Sequence, residues 1–285
     1  LRLPVRVTAL INDTVGTLLA RAYAAPKSAT TIMGAVFGTG TNGAYIEQAS
    51  RIKKLGECVI ENERVMIINS EWGNFDQNLE YLPVTTFDKT VDAQSVNPGF
   101  EMFEKMVSGM YLGEILRLAF VSLLEDSRMN ILEQTDIQAK SRLYESWSVD
   151  TSVLSSLQAD NSLDLSVSRI RLEQTLGLEM VSYEVVRALR TIACSIGRRA
   201  ARLGAVALGA VILQTDSLGR SSNSAGRVDI GVDGSLIELY PPFANEMRRA
   251  LSCIEGIGLD GLTRIDIAIA KDGSGVGAAL AAYIA

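Results

Sequence analysis

Four runs of β-branched and apolar residues in this chain each stop at a turn built from small polar residues. Residues 5–11 run into Asn12-Asp13-Thr14, and residues 30–37 into Gly38-Thr39-Gly40-Thr41-Asn42-Gly43; residues 227–230 run into Gly231-Val232-Asp233-Gly234-Ser235, and residues 264–270 into Lys271-Asp272-Gly273-Ser274-Gly275. Such runs read as strands, and the glycines that end them read as turns. Residues 44–47 resume after the second turn as the other arm of a hairpin, and residues 59–60 with 64–69 read as a further strand pair. Elsewhere the apolar period lengthens to that of a helix. Residues 15–24 read as a helical segment that stops before Pro26; beyond Pro98-Gly99, Phe100, Phe103, Met106 and Val107, then Leu112, Ile115, Leu116, Ala119, Leu123 and Leu124 fall on one face. A long apolar helix is predicted over 183–214, another after Pro241-Pro242, and a small-residue helix at the end of the chain. Residues 134–164, polar and rich in Ser, Asp and Gln, read as a surface excursion of loops and short helices. Strands alternating with helices make the fold α/β, and ligands in such folds sit at the carboxyl ends of strands.

Composition narrows the chemistry. With 285 residues, 47% of them hydrophobic, the chain can bury a large core, and one large domain over 1–285 is expected. A net charge of −6 and a pI near 5.0 give no footprint for nucleic acid or an anionic membrane. The complete absence of histidine removes Ser-His-Asp and Cys-His nucleophilic systems and helix-borne His zinc sites. Catalysis must therefore run on carboxylates, hydroxyls, amides and backbone. Cys58, Cys194 and Cys253 are odd in number and widely spaced, which argues against a disulfide framework or a cysteine-ligated metal and fits a reducing cytoplasm. The longest apolar stretches, residues 203–213 and the run from Val276, fall short of the roughly 20 residues of a membrane span. The chain opens at Leu1 with no charged leader, which reads as a piece of a longer polypeptide without a signal peptide. Assembly state is left open, a homodimer included.

Asp13 stands at a strand end and opens a helix, so it can cap that helix or, facing a cleft, take a proton from a substrate hydroxyl. Gly38-Thr39-Gly40 is either a phosphate cradle of bare backbone and hydroxyl donors or a plain hairpin turn; no Gly-Lys-Ser/Thr makes it a Walker loop. Asp233-Gly234-Ser235 and Asp272-Gly273-Ser274-Gly275 are further post-strand turns open to a nucleotide, or turns alone. Glu71, before Trp72, and Glu104, after Phe103, suit polyol recognition, with a solvated surface acid as the alternative. Arg198, Arg199 and Arg202 either bind phosphate or, as a charged stripe on one helix face more often does, form structural ion pairs.

Taken in order, Ile11-Asn12-Asp13-Thr14-Val15-Gly16-Thr17-Leu18, Phe37-Gly38-Thr39-Gly40-Thr41-Asn42, Asn69-Ser70-Glu71-Trp72-Gly73, Asn97-Pro98-Gly99, Phe103-Glu104-Lys105-Met106-Val107-Ser108-Gly109-Met110-Tyr111, Val232-Asp233-Gly234-Ser235 and Asp272-Gly273-Ser274-Gly275 resemble the C-terminal half of eukaryotic hexokinases, fungal ones nearest. The resemblance implies the large lobe of an actin-like, ribonuclease-H-like sugar kinase that closes on its sugar. It implies transfer of phosphate from ATP with Mg²⁺ to the 6-hydroxyl of a hexose, feeding glycolysis, with Asp13 as the base. It places the sugar at Asn12, Asp13, Thr41, Asn42, Glu71 and Glu104, and the nucleotide at Gly38, Thr39, Gly40, Gly109, Met110, Asp233, Gly234 and Ser235. It also implies an N-terminal lobe, bearing the family's first phosphate loop, that this chain does not carry. Val276 and Glu145-Ser146-Trp147 depart from the family's nucleotide contacts. An N-acetylglucosamine kinase and a non-catalytic sugar-sensing regulator are the alternatives, and an intact Asp13, Glu71 and Glu104 favour catalysis.

Overall fold

The computed structural model describes residues 6–55, 65–126, 136–137, 141–219 and 226–285. In chain order the first half holds α1 (Asp13–Ala24), β1 (Ala29–Phe37), β2 (Thr41–Gln48), β3 (Val65–Asn69), α2 (Thr86–Gln94), α3 (Met102–Val107), α4 (Gly109–Glu125) and β4 (Asp136–Ile137). The second half holds α5 (Ser152–Ala159), α6 (Ser166–Leu176), β5 (Leu178–Glu179), α7 (Tyr183–Gln214), β6 (Arg227–Asp233), α8 (Ser235–Leu239), α9 (Pro241–Ser252), α10 (Gly258–Leu262), β7 (Ile265–Ile269) and α11 (Gly273–Ile284). They pack as two compact units: Leu1–Trp72, Gly204–Glu238 and Met247–Ala285 form the first, and Gly73–Leu203 with Leu239–Glu246 the second.

The first unit is built on a five-stranded sheet of order β3-β2-β1-β6-β7. β1 pairs parallel with β6, and β6 with β7; β2 and β3 add antiparallel. The predicted hairpin is present and tight, with Gly38 N–H donating to Gly40 O at 2.9 Å. Successive side chains alternate between the faces of a strand, so Gly34 and Phe37 point to opposite sides. On the Gly34 side lies α1: a Cβ on Gly34 would sit 2.3 Å from Leu18 N and 2.6 Å from Thr14 O, so only glycine lets this helix lie flat on β1. On the other side, Gly204 of α7 makes room for the Phe37 ring and Met247 of α9. The sheet is thus covered on both faces, as parallel strands require. α1 also packs on α11 through glycines, since a Cβ on Gly277 would meet Gly16 O at 2.0 Å. At its far end Arg21 grips the fully buried Asp229 of β6, whose carboxylate also accepts from Thr31 Oγ1 at 2.8 Å.

One strand expected from the sequence is absent. Residues 6–12 are irregular and Val7 and Leu10 are exposed, because no described strand offers them a ladder partner, and strand propensity is realised only in pairing. Residues 59–60 lie outside the described residues.

The second unit is mainly helical, with a short β4-β5 ribbon. Its core draws on Phe103, Met106, Leu112, Phe120, Leu154 and Leu189. The polar stretch read as a surface excursion of loops and short helices holds the short helix α5, whose Val153, Leu154 and Leu157 are nonetheless buried. Glu114 and Arg117 form a buried pair on α4 that fastens the next loop, Arg117 reaching Leu143 O at 2.8 Å and Glu114 accepting from Trp147 N at 2.7 Å. Asp88 closes the capping box of α2 and receives two bonds of 2.7 Å from Arg199 of α7.

Candidate active site

α1 sets the position of Asp13. Arg21 of that helix lies over Gly231 and bonds Asp229, while Thr14 lies over Gly34, so its first turn points to the carboxyl edge of β1 and β6. The cap is Asn12, not Asp13: Asn12 Oδ1 accepts from Thr14 N at 2.9 Å and from Thr14 Oγ1 at 2.6 Å. Asp13 occupies the first helical position, exposed. Its Oδ1 shares the Thr14 N–H at 2.8 Å, and its Oδ2 accepts nothing among the described residues.

At the same edge the start of β2 meets the end of β3. Val36 pairs with Asn42, and Ala44 with Asn69, which brings Thr41, Asn42, Asn69 and Glu71 together. Asn42 Nδ2 donates to Asn69 Oδ1 at 2.8 Å and to Glu71 Oε1 at 3.2 Å, and Asn69 Nδ2 donates to the same Oε1 at 2.5 Å. One oxygen of Glu71 is therefore held by two amides, and Oε2 accepts nothing among the described residues. Glu71 takes a left-handed backbone (φ 48°), which turns the chain at the strand end and leaves its side chain exposed. Beneath, Trp72 donates Nε1–H to Thr41 Oγ1 at 3.1 Å, stacks on Phe37 at 5.9 Å and fills the space over Gly43. Asn69 was quoted with its motif in the sequence but given no role, although its place two residues before Glu71 at a strand end was the available signal.

The glycine turns converge on the carboxyl edge as well. A Cβ on Gly234 would lie 2.5 Å from Phe37 O, and one on Gly38 would lie 3.5 Å from Gly234 Cα, so the two turns touch through bare backbone. Thr39 and Ser235 hold exposed hydroxyls beside them, with Gly40 between Thr39 and Thr41. Asp233 ties the arrangement together, accepting from Gly234 N at 2.8 Å and Gly273 N at 2.9 Å. Its two oxygens thus brace the turns that start α8 and α11.

In the second unit Glu104 lies on the half-buried flank of α3. Burial first, then the charges of Glu104 and Glu101, push the Tyr111 phenol above its ordinary pKa, which places both carboxylates near that ring. The loop before α3 is pinned by Lys105, 1% exposed, whose Nζ bonds Asp92 Oδ1, Asn97 O and Phe100 O at 2.7 to 2.8 Å. Gly109 and the exposed Met110 start α4, where Thr151 Oγ1 donates to Gly109 O at 2.5 Å and accepts from Gly113 N at 3.1 Å. Lys105 and Thr151 were given no role from the sequence; a lysine next to a glutamate reads as surface, and Thr151 lies in the stretch read as loops and short helices.

Comparisons with known proteins bear on the fold and the family. A family model described as hexokinase matches residues 32–284. The chain is 46% identical to a glucokinase of Aspergillus niger across all of its own length and 59% of that protein. It is 39% identical to Glucokinase-1 of Saccharomyces cerevisiae, covering 99% of this chain and 58% of that one. Among solved structures, a Schistosoma mansoni hexokinase complexed with glucose superposes with a TM-score of 0.81 at 33% identity, over 97% of this chain and 57% of the other. The chain therefore spans a little under three fifths of the relatives it matches, and its sheet and helices are those of a sugar-kinase lobe of the actin-like α/β type.

Proposed function

The chain belongs to the hexokinase family, and from that premise we propose that it is the large-lobe portion, over 1–285, of an ATP-dependent hexose kinase in which Asp13 deprotonates the sugar's 6-hydroxyl. The observation that carries this reading is the division of labour at the start of α1. Asn12 caps the helix, so the Asp13 carboxylate is exposed with one oxygen unengaged at the edge where ligands of α/β sheets bind. A base so placed typically contributes about 10²- to 10⁴-fold.

Glu71 is assigned to a sugar hydroxyl. Its pinned Oε1 fixes the carboxylate plane, and Oε2 is left to accept a hydroxyl hydrogen. Asn42 orients it, with both amide hydrogens and its oxygen engaged within the cluster. Thr41 supports Trp72, and Asn12 and Glu104 are assigned to sugar by their match to the family. The nucleotide's phosphates are assigned to the bare backbone where Gly38 meets Gly234, a close approach that a Cβ at Gly234 would prevent, with Thr39, Gly40 and Ser235 as further contacts and Asp233 holding the turns; Gly109 and Met110 are assigned to nucleotide by their match to the family alone. Mg²⁺ prefers phosphate and water oxygens and would enter on the nucleotide, where it neutralises the charge of the transferred group. Glucose is the proposed hexose, since the structural relative holds that sugar and the sequence relatives are glucokinases. A cytoplasmic site of action is part of the proposal: Cys194 and Cys253 are free, and among the described residues no helix is long and apolar enough to cross a membrane.

The test is Mg-ATP-dependent ADP release with glucose, fructose, mannose and N-acetylglucosamine, on the protein at the length of its curated relatives and on the 285-residue chain. Turnover with a hexose that collapses in Asp13→Ala supports the kinase; sugar binding with no turnover at either length sinks it and leaves a sensor. Glu71→Ala should raise the sugar KM roughly 5- to 150-fold, the equivalent of about 1 to 3 kcal/mol, with ATP KM little changed. A shift confined to ATP would refute the assignment of Glu71. Gly34→Ala should destabilise the protein by about 1 to 3 kcal/mol, because its Cβ meets backbone atoms of Thr14 and Leu18 that cannot move aside. Thermal unfolding measures it, and an unchanged midpoint would contradict the close packing of α1.

A further inference from the structure

Asn69, the last residue of β3, is assigned to neither sugar nor nucleotide, yet its side chain joins Asn42 to Glu71. Its Oδ1 accepts from Asn42 Nδ2 at 2.8 Å and its Nδ2 donates to Glu71 Oε1 at 2.5 Å. Chemistry fixes that orientation: a carboxylate only accepts, so the Asn69 NH₂ faces Glu71 and its carbonyl faces the NH₂ of Asn42. Asn42 is itself held, its Oδ1 accepting from Gly43 N at 2.8 Å and from Ser70 Oγ at 3.4 Å, and its own bond to Glu71, at 3.2 Å, is the longer of the two. The backbone shows why a tether is needed. Glu71 sits at φ 48°, a left-handed conformation that a glutamate keeps only where its surroundings hold it. Asn69 is still part of the ladder, opposite Ala44, and the next N–H, that of Ser70, donates to Gly43 O at 2.9 Å. The amide of Asn69 thus carries the rigidity of the sheet to a carboxylate that lies just beyond its edge.

We propose that Asn69 is a positioning residue for sugar recognition, holding Glu71 Oε1 with a neutral donor so that Oε2 meets a sugar hydroxyl in one orientation. The role rests on the kinase reading and deepens it. A carboxylate already held loses less side-chain freedom when sugar binds, which is the gain expected of preorganisation. What the position requires is a donor and not a shape. Aspartate has the size of asparagine, but it would set a second carboxylate against Oε1, and like charges at hydrogen-bond distance repel.

The test is a double-mutant cycle read by glucose binding and glucose KM, on the protein at the length of its curated relatives. Asn69→Ala should raise the glucose KM about three- to tenfold, less than Glu71→Ala does, because the bond from Asn42 remains. Asn69→Asp should raise it further, although its shape is the closer match. In a Glu71→Gln background that order should reverse: the glutamine NH₂ donates to the new carboxylate and leaves its carbonyl oxygen to the sugar, so Asn69→Asp should change the KM less than about threefold. The ATP KM and the melting midpoint should stay near parental values in every variant, since Asn69 is exposed. An equal effect of Asn69→Asp in both backgrounds, an aspartate milder than alanine in the parent, a matching fall in melting midpoint, or a glucose KM unmoved by either substitution would each overturn the positioning role and leave the kinase reading standing. A parent protein that neither binds nor turns over glucose overturns the kinase reading itself, and this role with it.

Discussion

Replacing Asp13 by alanine should lower phosphoryl transfer to glucose by about 10²- to 10⁴-fold while the protein stays folded. The fold is expected to survive because Asn12, not Asp13, caps α1, and because the Asp13 side chain is exposed. The loss should appear in kcat more than in sugar KM, since proton removal matters in the transition state and not in sugar binding. Steady-state kinetics beside a circular dichroism melt measure both halves. A matching fall in melting midpoint would make Asp13 a structural residue, and unchanged kcat would remove it from the chemistry.

Arg199→Met should cost about 3 to 5 kcal/mol of stability, the largest single effect expected outside the site. The substitution leaves a carboxylate that is 2% exposed with only the Thr85 hydroxyl and N–H as donors among the described residues, and removes its two charge-assisted bonds from Arg199. Burial alone would push the Asp88 carboxyl up, but Arg199 and then Thr85 outweigh it and hold it below the ordinary carboxylate value. A depressed carboxylate contributes stability that is present above its unfolded pKa of about 4 and lost as pH falls through the folded one. The difference between the wild-type protein and Arg199→Met should therefore be full at neutral pH and shrink in acid. Urea unfolding at pH 7 and at pH 3.5 measures it, and an equal deficit at both would show that packing, not charge, is lost.

Legibility in the sequence followed how local the physics was. β1, α7 and the C-terminal helix were readable because apolar period and glycine turns are encoded within a few residues, and α7 spans the very residues 183–214 that its period marks. The strand at 5–11 failed because pairing is not local: Val7 and Leu10 have the composition of a strand and no partner among the described residues. α2 and α6 went unread, since Thr, Asp, Gln and Arg obscure their apolar stripes. At the site, Asp13 and Glu71 could be named from motif and position, but the roles of their neighbours could not. That Asn12 caps the helix, that Asn69 pins Glu71 and that both oxygens of Asp233 brace backbone N–H groups are facts of geometry between distant segments. Lys105 shows the same limit, its ammonium reaching three oxygens from residues 92–100.

The most direct test of Asp13 as base separates sugar binding from chemistry in one sample. Trp72, packed between Phe37 and the turn at Glu71, is the fluorescent reporter of sugar, with Trp147→Phe removing the other indole of these 285 residues. Asp13→Asn should bind glucose within a few-fold of the parent by Trp72 fluorescence, yet release ADP at least about 100-fold more slowly. Glucose binding and ADP release lost together, or ADP release preserved, would contradict it.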